Sequence, residues 1–140
     1  MSRYAARALI FNKSDELLLV RDSERYWYTP GGGLSGRETA VEGLLREIHE
    51  ETGLKIRNPR FLFAHEYLRE EGDRSISLWF LARTSAKLPE HWSDIGGPIV
   101  EARFFSRNQM PEIRPRFLRD EIWRWRQDNF RDVPRLVTDS

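Results

Sequence analysis

The chain of 140 residues contains no cysteine. Disulfides, thiolate metal sites and a cysteine nucleophile are therefore excluded, and a reducing compartment is compatible. It also has no apolar run near the roughly 18 residues that cross a bilayer, and its start, MSRYAARALIFN, carries no long apolar core behind its basic residues. Together these absences lead to an expectation of a cytoplasmic protein with no membrane partner. A one-sided charge is missing too. With a formal net charge of +1, bulk electrostatics give no reason to expect a nucleic-acid partner. Histidine is scarce, and His49, His65 and His91 are too scattered to suggest a zinc site.

What is present suits one compact domain over residues 1–140, because 39% hydrophobic residues with 12% aromatics can fill a core at this length. The polar end from Arg131 to Ser140, with Pro134, reads as a loosely held tail. The preceding arginines, among them Arg114, Arg116, Arg119 and Arg124, make a locally basic stretch. It reads as a solvated helix face or as an attraction for phosphate. Monomer and homodimer are both compatible with the chain.

Residues Arg3 to Asn12 and Glu16 to Val20 read as a hairpin closed by Asn12-Lys13-Ser14-Asp15. Arg60 to Leu68 and Ser75 to Arg83 read as a second hairpin around Glu70-Glu71-Gly72-Asp73. Val100 to Ser106 is a further strand. The intervening segment Leu88 to Pro98 is a loop whose length and Asp94 make it a candidate border of an active site. Leu118, Ile122 and Trp125 place a last helix over about Arg116 to Asn129, with Trp123 partly off its core face.

The densest signal is GGGLSGRETAVEGLLREIHEETGL, from Gly31 to Leu54. Glycines after Pro30 permit a tight turn and close approach to a ligand. From about Glu38 to Thr52 the spacing of Val41, Leu44, Leu45 and Ile48 predicts a helix with one core stripe, stopped by Gly53. Off that stripe, Glu47, Glu50 and Glu51 share one patch at i, i+3 and i+4. Two such charges about 5 Å apart cost roughly 3 kcal/mol at an effective dielectric near 20, and the C-terminal half of a helix disfavours anions further. Taken alone, three glutamates also read as a solvated acidic face. As a site, the oxygen donors select a hard divalent ion, Mg²⁺ first and Mn²⁺ next, which commonly also holds substrate phosphates.

Gly32, Glu38, Arg46, Glu47, Ile48, Glu50, Glu51, Gly53 and Leu54 fill every fixed position of G-x5-E-x7-R-E-U-x-E-E-x-G-U, with U a bulky aliphatic residue. This segment resembles the Nudix box, and Trp27-x-x-Pro30-Gly31-Gly32 is similar to the approach common in that family. The resemblance implies an α/β/α sandwich, with a mixed sheet packed between helices. It also implies water attack on a phosphorus of a nucleoside diphosphate linked to a group X.

Carried over by position, Glu50 and Glu51 would be the main metal ligands and the Gly31 carbonyl a further one. Glu47 would be a general base or a second metal-facing carboxylate, and Arg46 would orient Glu38 or a catalytic glutamate. An additional acid from a distant loop is common in the family, and Asp94, Glu101, Glu66 and Glu70 are candidates. Trp27 either packs helix on sheet or stacks on a nucleobase, and with Asp94 it is a candidate substrate contact. The expected partner is a small nucleotide. A nucleoside triphosphate cleaved to monophosphate and pyrophosphate leads, with ADP-ribose or a nucleotide sugar as the alternative and a non-catalytic nucleotide-binding module as a reading of another class.

Overall fold

A computed structural model describes residues 2–139. Its backbone forms β1 (Ser2–Phe11), β2 (Leu17–Asp22), β3 (Trp27–Tyr28), β4 (Gly31–Gly33), α1 (Ala40–Thr52), β5 (Arg60–Leu68), β6 (Arg74–Arg83), β7 (Ile99–Phe105), β8 (Ile113–Arg114), α2 (Leu118–Gln127) and β9 (Leu136–Asp139). The strands join in one mixed sheet of order β8-β3-β2-β1-β6-β5-β9, with β4 paired to β1 and β7 to β2.

The long parallel pairing of β1 with β6, from Ser2 opposite Arg74 to Phe11 opposite Arg83, is the spine of this sheet. Both predicted hairpins are present, as β1–β2 and β5–β6. The first closes because the Asn12 side chain accepts hydrogen bonds from the Ser14 and Glu16 amides at 3.0 and 2.9 Å, a local turn device suited to asparagine.

Alternation along β1 divides the core. Ala6, Ala8 and Ile10 pack with Leu44 and Ile48 of α1, while Leu9 and Phe11 pack with Leu118, Ile122, Trp123 and Trp125 of α2. A strand sends successive side chains to opposite faces, so this pattern puts one helix on each side of the sheet, as the α/β/α expectation requires. Truncating either Leu44 or Ile48, both fully buried, to alanine is worth about 2–5 kcal/mol.

Three expectations are corrected. Val41 is 38% exposed, because the buried side of α1 runs through Gly43, Leu44, Ile48 and Thr52 instead. Leu34 lies over Gly43, where a Cβ would meet its Cδ2 at 2.5 Å, so the preceding loop covers the first turn on that side. Trp123 is buried with the α2 core rather than partly off it, since a long indole reaches around the helix to the Phe11 ring at 5.7 Å. The tail expected to be loose forms β9, whose Leu136–Asp139 pair in parallel with Ala64–Tyr67 of β5. Its backbone satisfies that strand's otherwise open edge, and Ser140 lies outside the described residues. No helix among the described residues is long and apolar enough to cross a membrane.

Candidate active site

The helix carrying the glutamates begins in a reciprocal cap, in which the Thr39 hydroxyl accepts the Glu42 amide at 3.1 Å and the Glu42 carboxylate accepts the Thr39 amide at 2.9 Å. It ends at Gly53, in the left-handed conformation, which donates its N–H to the His49 carbonyl at 2.8 Å. Between these stops, the apolar side is held on β1, and the glutamate side is thereby turned toward β4.

Strand β4 comes unusually close. Gly31 has a φ of +136°, and a Cβ there would stand 2.2 Å from the Ala6 carbonyl oxygen. At Gly32 a Cβ would be 2.8 Å from the Glu47 carboxylate. Gly31 thus lets β4 lie close on the β1 backbone, and Gly32 lets it lie close on Glu47 of α1, with no side chain between.

A cavity of about 450 Å³ opens there, lined by Gly31, Gly32, Glu47, Glu50, Glu51 and Asp94 together with Arg7, Asp22, Tyr28 and Thr29. Glu51 accepts the Gly31 amide N–H at 2.8 Å. It is therefore the amide of Gly31, and not its carbonyl, that meets a glutamate here. Burial pushes the Glu51 carboxyl up to about 8, against the pull of the Gly31 N–H, and the nearby Glu47 charge pushes the same way. Desolvation outweighs one hydrogen bond at this position.

Arg46 spans the other carboxylates. Its guanidinium holds Glu38 through two hydrogen bonds, at 2.9 and 2.6 Å, and donates to Glu47 at 3.1 Å and to Glu50 at 3.3 Å. Hydrogen bonding from Arg46 is the first reason that the Glu38 carboxyl is held down at about 2. Glu47 and Glu50 turn toward Arg46, and no group of three acid, histidine or cysteine side chains among the described residues stands ready to enclose a cation. The oxygen donors nonetheless suit a hard divalent ion. Glu50 is half exposed, and its swing away from Arg46 is a matter of side-chain rotamers on a fixed helix.

Asp94 is the one member of the four candidate acids that lines this cavity. Its loop is fixed by the Ile99 amide, which donates to the Asp94 carboxylate at 3.1 Å, and by the Trp92 indole, which donates to the Glu50 carbonyl at 2.9 Å. Glu101 is instead taken by Arg21 at 2.9 Å and by Arg103, Glu66 stands 3.6 Å from Arg74, and Glu70 lies in the β5–β6 turn. Trp27 is not brought to the site. It packs edge-on against Phe105 at 4.8 Å, with the Arg21 and Arg103 guanidiniums 5.9 and 5.7 Å from its ring, because β3 sends it toward the α2 core.

Arg7, outside the residues that the sequence pattern marks, also lines the cavity and donates to the Thr29 carbonyl at 3.3 Å. Burial lowers its pKa while Glu51 and Glu47 oppose that change. The signal available in sequence is a lone cation inside the apolar run Ala5-Ala6-Arg7-Ala8-Leu9, an arrangement that needs an anion to offset it.

Known proteins resemble this chain in sequence and in fold. The Homo sapiens 8-oxo-dGDP phosphatase NUDT18 is 30% identical over 112 residues, covering 77% of this chain and 33% of that protein. The chain spans about a third of the length of that relative and of its mouse and zebrafish counterparts. Among solved structures, a MutT protein from Methanosarcina mazei Go1 superposes with a TM-score of 0.72 at 26% identity, covering 91% of this chain and 95% of that one. An ADP-ribose pyrophosphatase from Streptococcus suis 89-1591 gives 0.72 at 20% identity, covering 98% of both, which is a likeness of fold. The NUDIX domain family matches residues 1–127, a span that includes the glycine strand and glutamate helix walling the cavity, and the chain belongs to the Nudix family.

Proposed function

We propose that this protein hydrolyses a phosphoanhydride bond in a nucleoside diphosphate derivative, using a divalent cation held by Glu47, Glu50 and Glu51, Mg²⁺ first and Mn²⁺ next. The observation that carries this reading is Glu51 itself. A carboxyl pushed up to about 8 by burial and by Glu47, against the pull of the Gly31 N–H and the Arg7 charge, stands on the wall of an open cavity with its ionised form under-compensated. A bound divalent ion supplies charge neutralisation at the phosphate oxygens and a more acidic water.

The chain's own groups have separable tasks. Glu51 and Glu50 are ligands, and Glu47 is a further ligand or the base that takes a proton from the attacking water. The Gly31 carbonyl remains in the proposed ligand set. Arg46 fixes the carboxylates, Asp94 approaches from the loop, and the buried Arg7 guanidinium meets a phosphate oxygen. A nucleoside triphosphate giving monophosphate and pyrophosphate is the leading substrate. Similarity to a protein named for 8-oxo-dGDP adds oxidised purine nucleotides, and diphosphates with them.

A second reading, a nucleotide-binding module without turnover, is favoured by the engagement of Arg46 with both Glu47 and Glu50. One experiment separates the two. Phosphate and pyrophosphate release is followed with ordinary and oxidised nucleoside di- and triphosphates, ADP-ribose and nucleotide sugars, with Mg²⁺ or Mn²⁺, for the native chain and Glu51→Gln. Cation-dependent turnover lost in the variant is expected. Nucleotide binding with no turnover of any substrate supports the module.

A further inference from the structure

The loop of residues 88–98 that brings Asp94 to the site has open space behind it. Its first residue, Leu88, packs with the α1 core, but farther on a cavity of about 260 Å³ lies between the loop, the end of α1 and β7, lined by Thr52, Pro89, Trp92 and Ala102 among others. Glu51, Asp94 and Ile99 line this cavity and the carboxylate cavity alike, so the two adjoin at Asp94. A segment with a void behind it keeps its place through discrete ties rather than through close packing.

The tie to the glutamate helix is Trp92. Its indole N–H donates to the Glu50 carbonyl at 2.9 Å, one of the last four carbonyls of α1, which have no partner within the helix. Its ring stands 5.0 Å from the His49 ring. A Cβ at Gly53 would come within 2.8 Å of Trp92 Cδ2 and of Pro89 Cγ, so the glycine that stops the helix also leaves room for the loop. Trp92 is nevertheless 42% exposed, and burial alone does not account for where it is held.

Two residues on, Asp94 folds back on its own loop. Its carbonyl accepts the Gly97 amide at 3.0 Å and its carboxylate accepts the Ile99 amide at 3.1 Å. An added Cβ at Gly97 would collide with that carboxylate, so the turn is fitted around it. From Ile99 the chain runs into β7, which is paired to β2. Asp94 is thus tied on one side to the sheet and on the other, through Trp92, to the helix that carries Glu50 and Glu51.

We propose that Trp92 is a positioning residue of the active site: by hydrogen-bonding the Glu50 carbonyl and seating its ring against His49 and Gly53, it holds Asp94 at a fixed spacing from the glutamates of α1. The inference rests on the hydrolase reading, in which Asp94 is the acid that the loop supplies. Trp92 stands outside the lining of the carboxylate cavity, so it acts through Asp94 and not on the substrate.

The test uses the whole chain and Trp92→Phe, which keeps a ring and removes the N–H donor. The Ile99 amide is bound to Asp94, and its hydrogen exchange reports the placement of that acid without any turnover. Exchange is expected to be about tenfold faster in the variant. In turnover assays Trp92→Phe is expected to lower kcat about tenfold with KM changed less than about twofold. Made in an Asp94→Asn chain, the same substitution is expected to cost little more, because a residue acting through Asp94 then has nothing left to place. A merely structural role lowers kcat by the same factor in both backgrounds. An unchanged Ile99 exchange rate, an unaltered kcat, or equal losses in the two backgrounds overturns the proposal. A native chain that turns over no substrate defeats the hydrolase reading instead, and Ile99 exchange then decides by itself whether Trp92 holds Asp94.

Discussion

Glu51 on α1 accepts a hydrogen bond from the backbone amide of Gly31 on β4 at 2.8 Å, which ties the glutamate helix to the glycine strand. That contact does not compensate the carboxylate for leaving water. With the folded value at about 8 against an ordinary 4.5, the folded chain binds more protons than the unfolded one between these limits. The associated stability is complete below 4.5 and lost as pH rises through 8. In chelator-treated protein, denaturation midpoints should fall across this window, with a slope of up to about 1.4 kcal/mol per pH unit. Glu51→Gln should flatten the profile, and added Mg²⁺ should stabilise the native chain most at the alkaline end, where it competes least with the proton. Parallel profiles for native and variant chains would contradict the assignment.

Two neighbouring glycines should behave differently. At Gly31 an added Cβ meets the Ala6 carbonyl oxygen, backbone that is paired and cannot withdraw. Gly31→Ala should destabilise by about 2 kcal/mol or more in urea denaturation. At Gly32 the obstacle is the movable end of Glu47. Gly32→Ala should change stability by less than about 1 kcal/mol yet lower kcat about tenfold, because Glu47 is displaced. Equal stability loss in both would show that β4 is constrained in some other way.

The Arg46 guanidinium uses its planar fork on Glu38 and its remaining donors on Glu47 and Glu50. Lysine keeps the charge but not the fork. Arg46→Lys should therefore lower kcat by about tenfold to a hundredfold with a smaller change in KM. A purely electrostatic role would leave the lysine variant active, and steady-state kinetics decide between them.

Strand β9 continues the sheet at the edge of β5, and the Ala64 amide donates to the Arg135 carbonyl at 2.9 Å. Ending the chain at Phe130 should lower stability by about 1–3 kcal/mol and expose an unpaired edge prone to association. Thermal denaturation and sedimentation would report both effects. An unchanged midpoint would mean that the strand's docking contributes nothing.

Both hairpins, α1, its Gly53 stop and the last helix were legible because turn chemistry and apolar period are local properties. The rotation of α1 was not. Val41 has the spacing of a core residue, and only the loop carrying Leu34 decides that Gly43 faces inward instead. Likewise His65 and Asp139 lie far apart in the chain and meet because β9 adds to β5. No local pattern marks that pairing.

The order of residues from Gly32 to Leu54 by itself determined that three carboxylates share a helix face with an arginine beside them, since helical spacing is set within one turn. Tertiary structure alone decided what faces them: Gly31 through its amide, Arg7 across from β1, and Asp94 from a loop. It also turned Trp27 away, toward Phe105. Contacts between distant segments follow from how strands pair and which face each helix covers, and those choices are made by the packing of the whole chain.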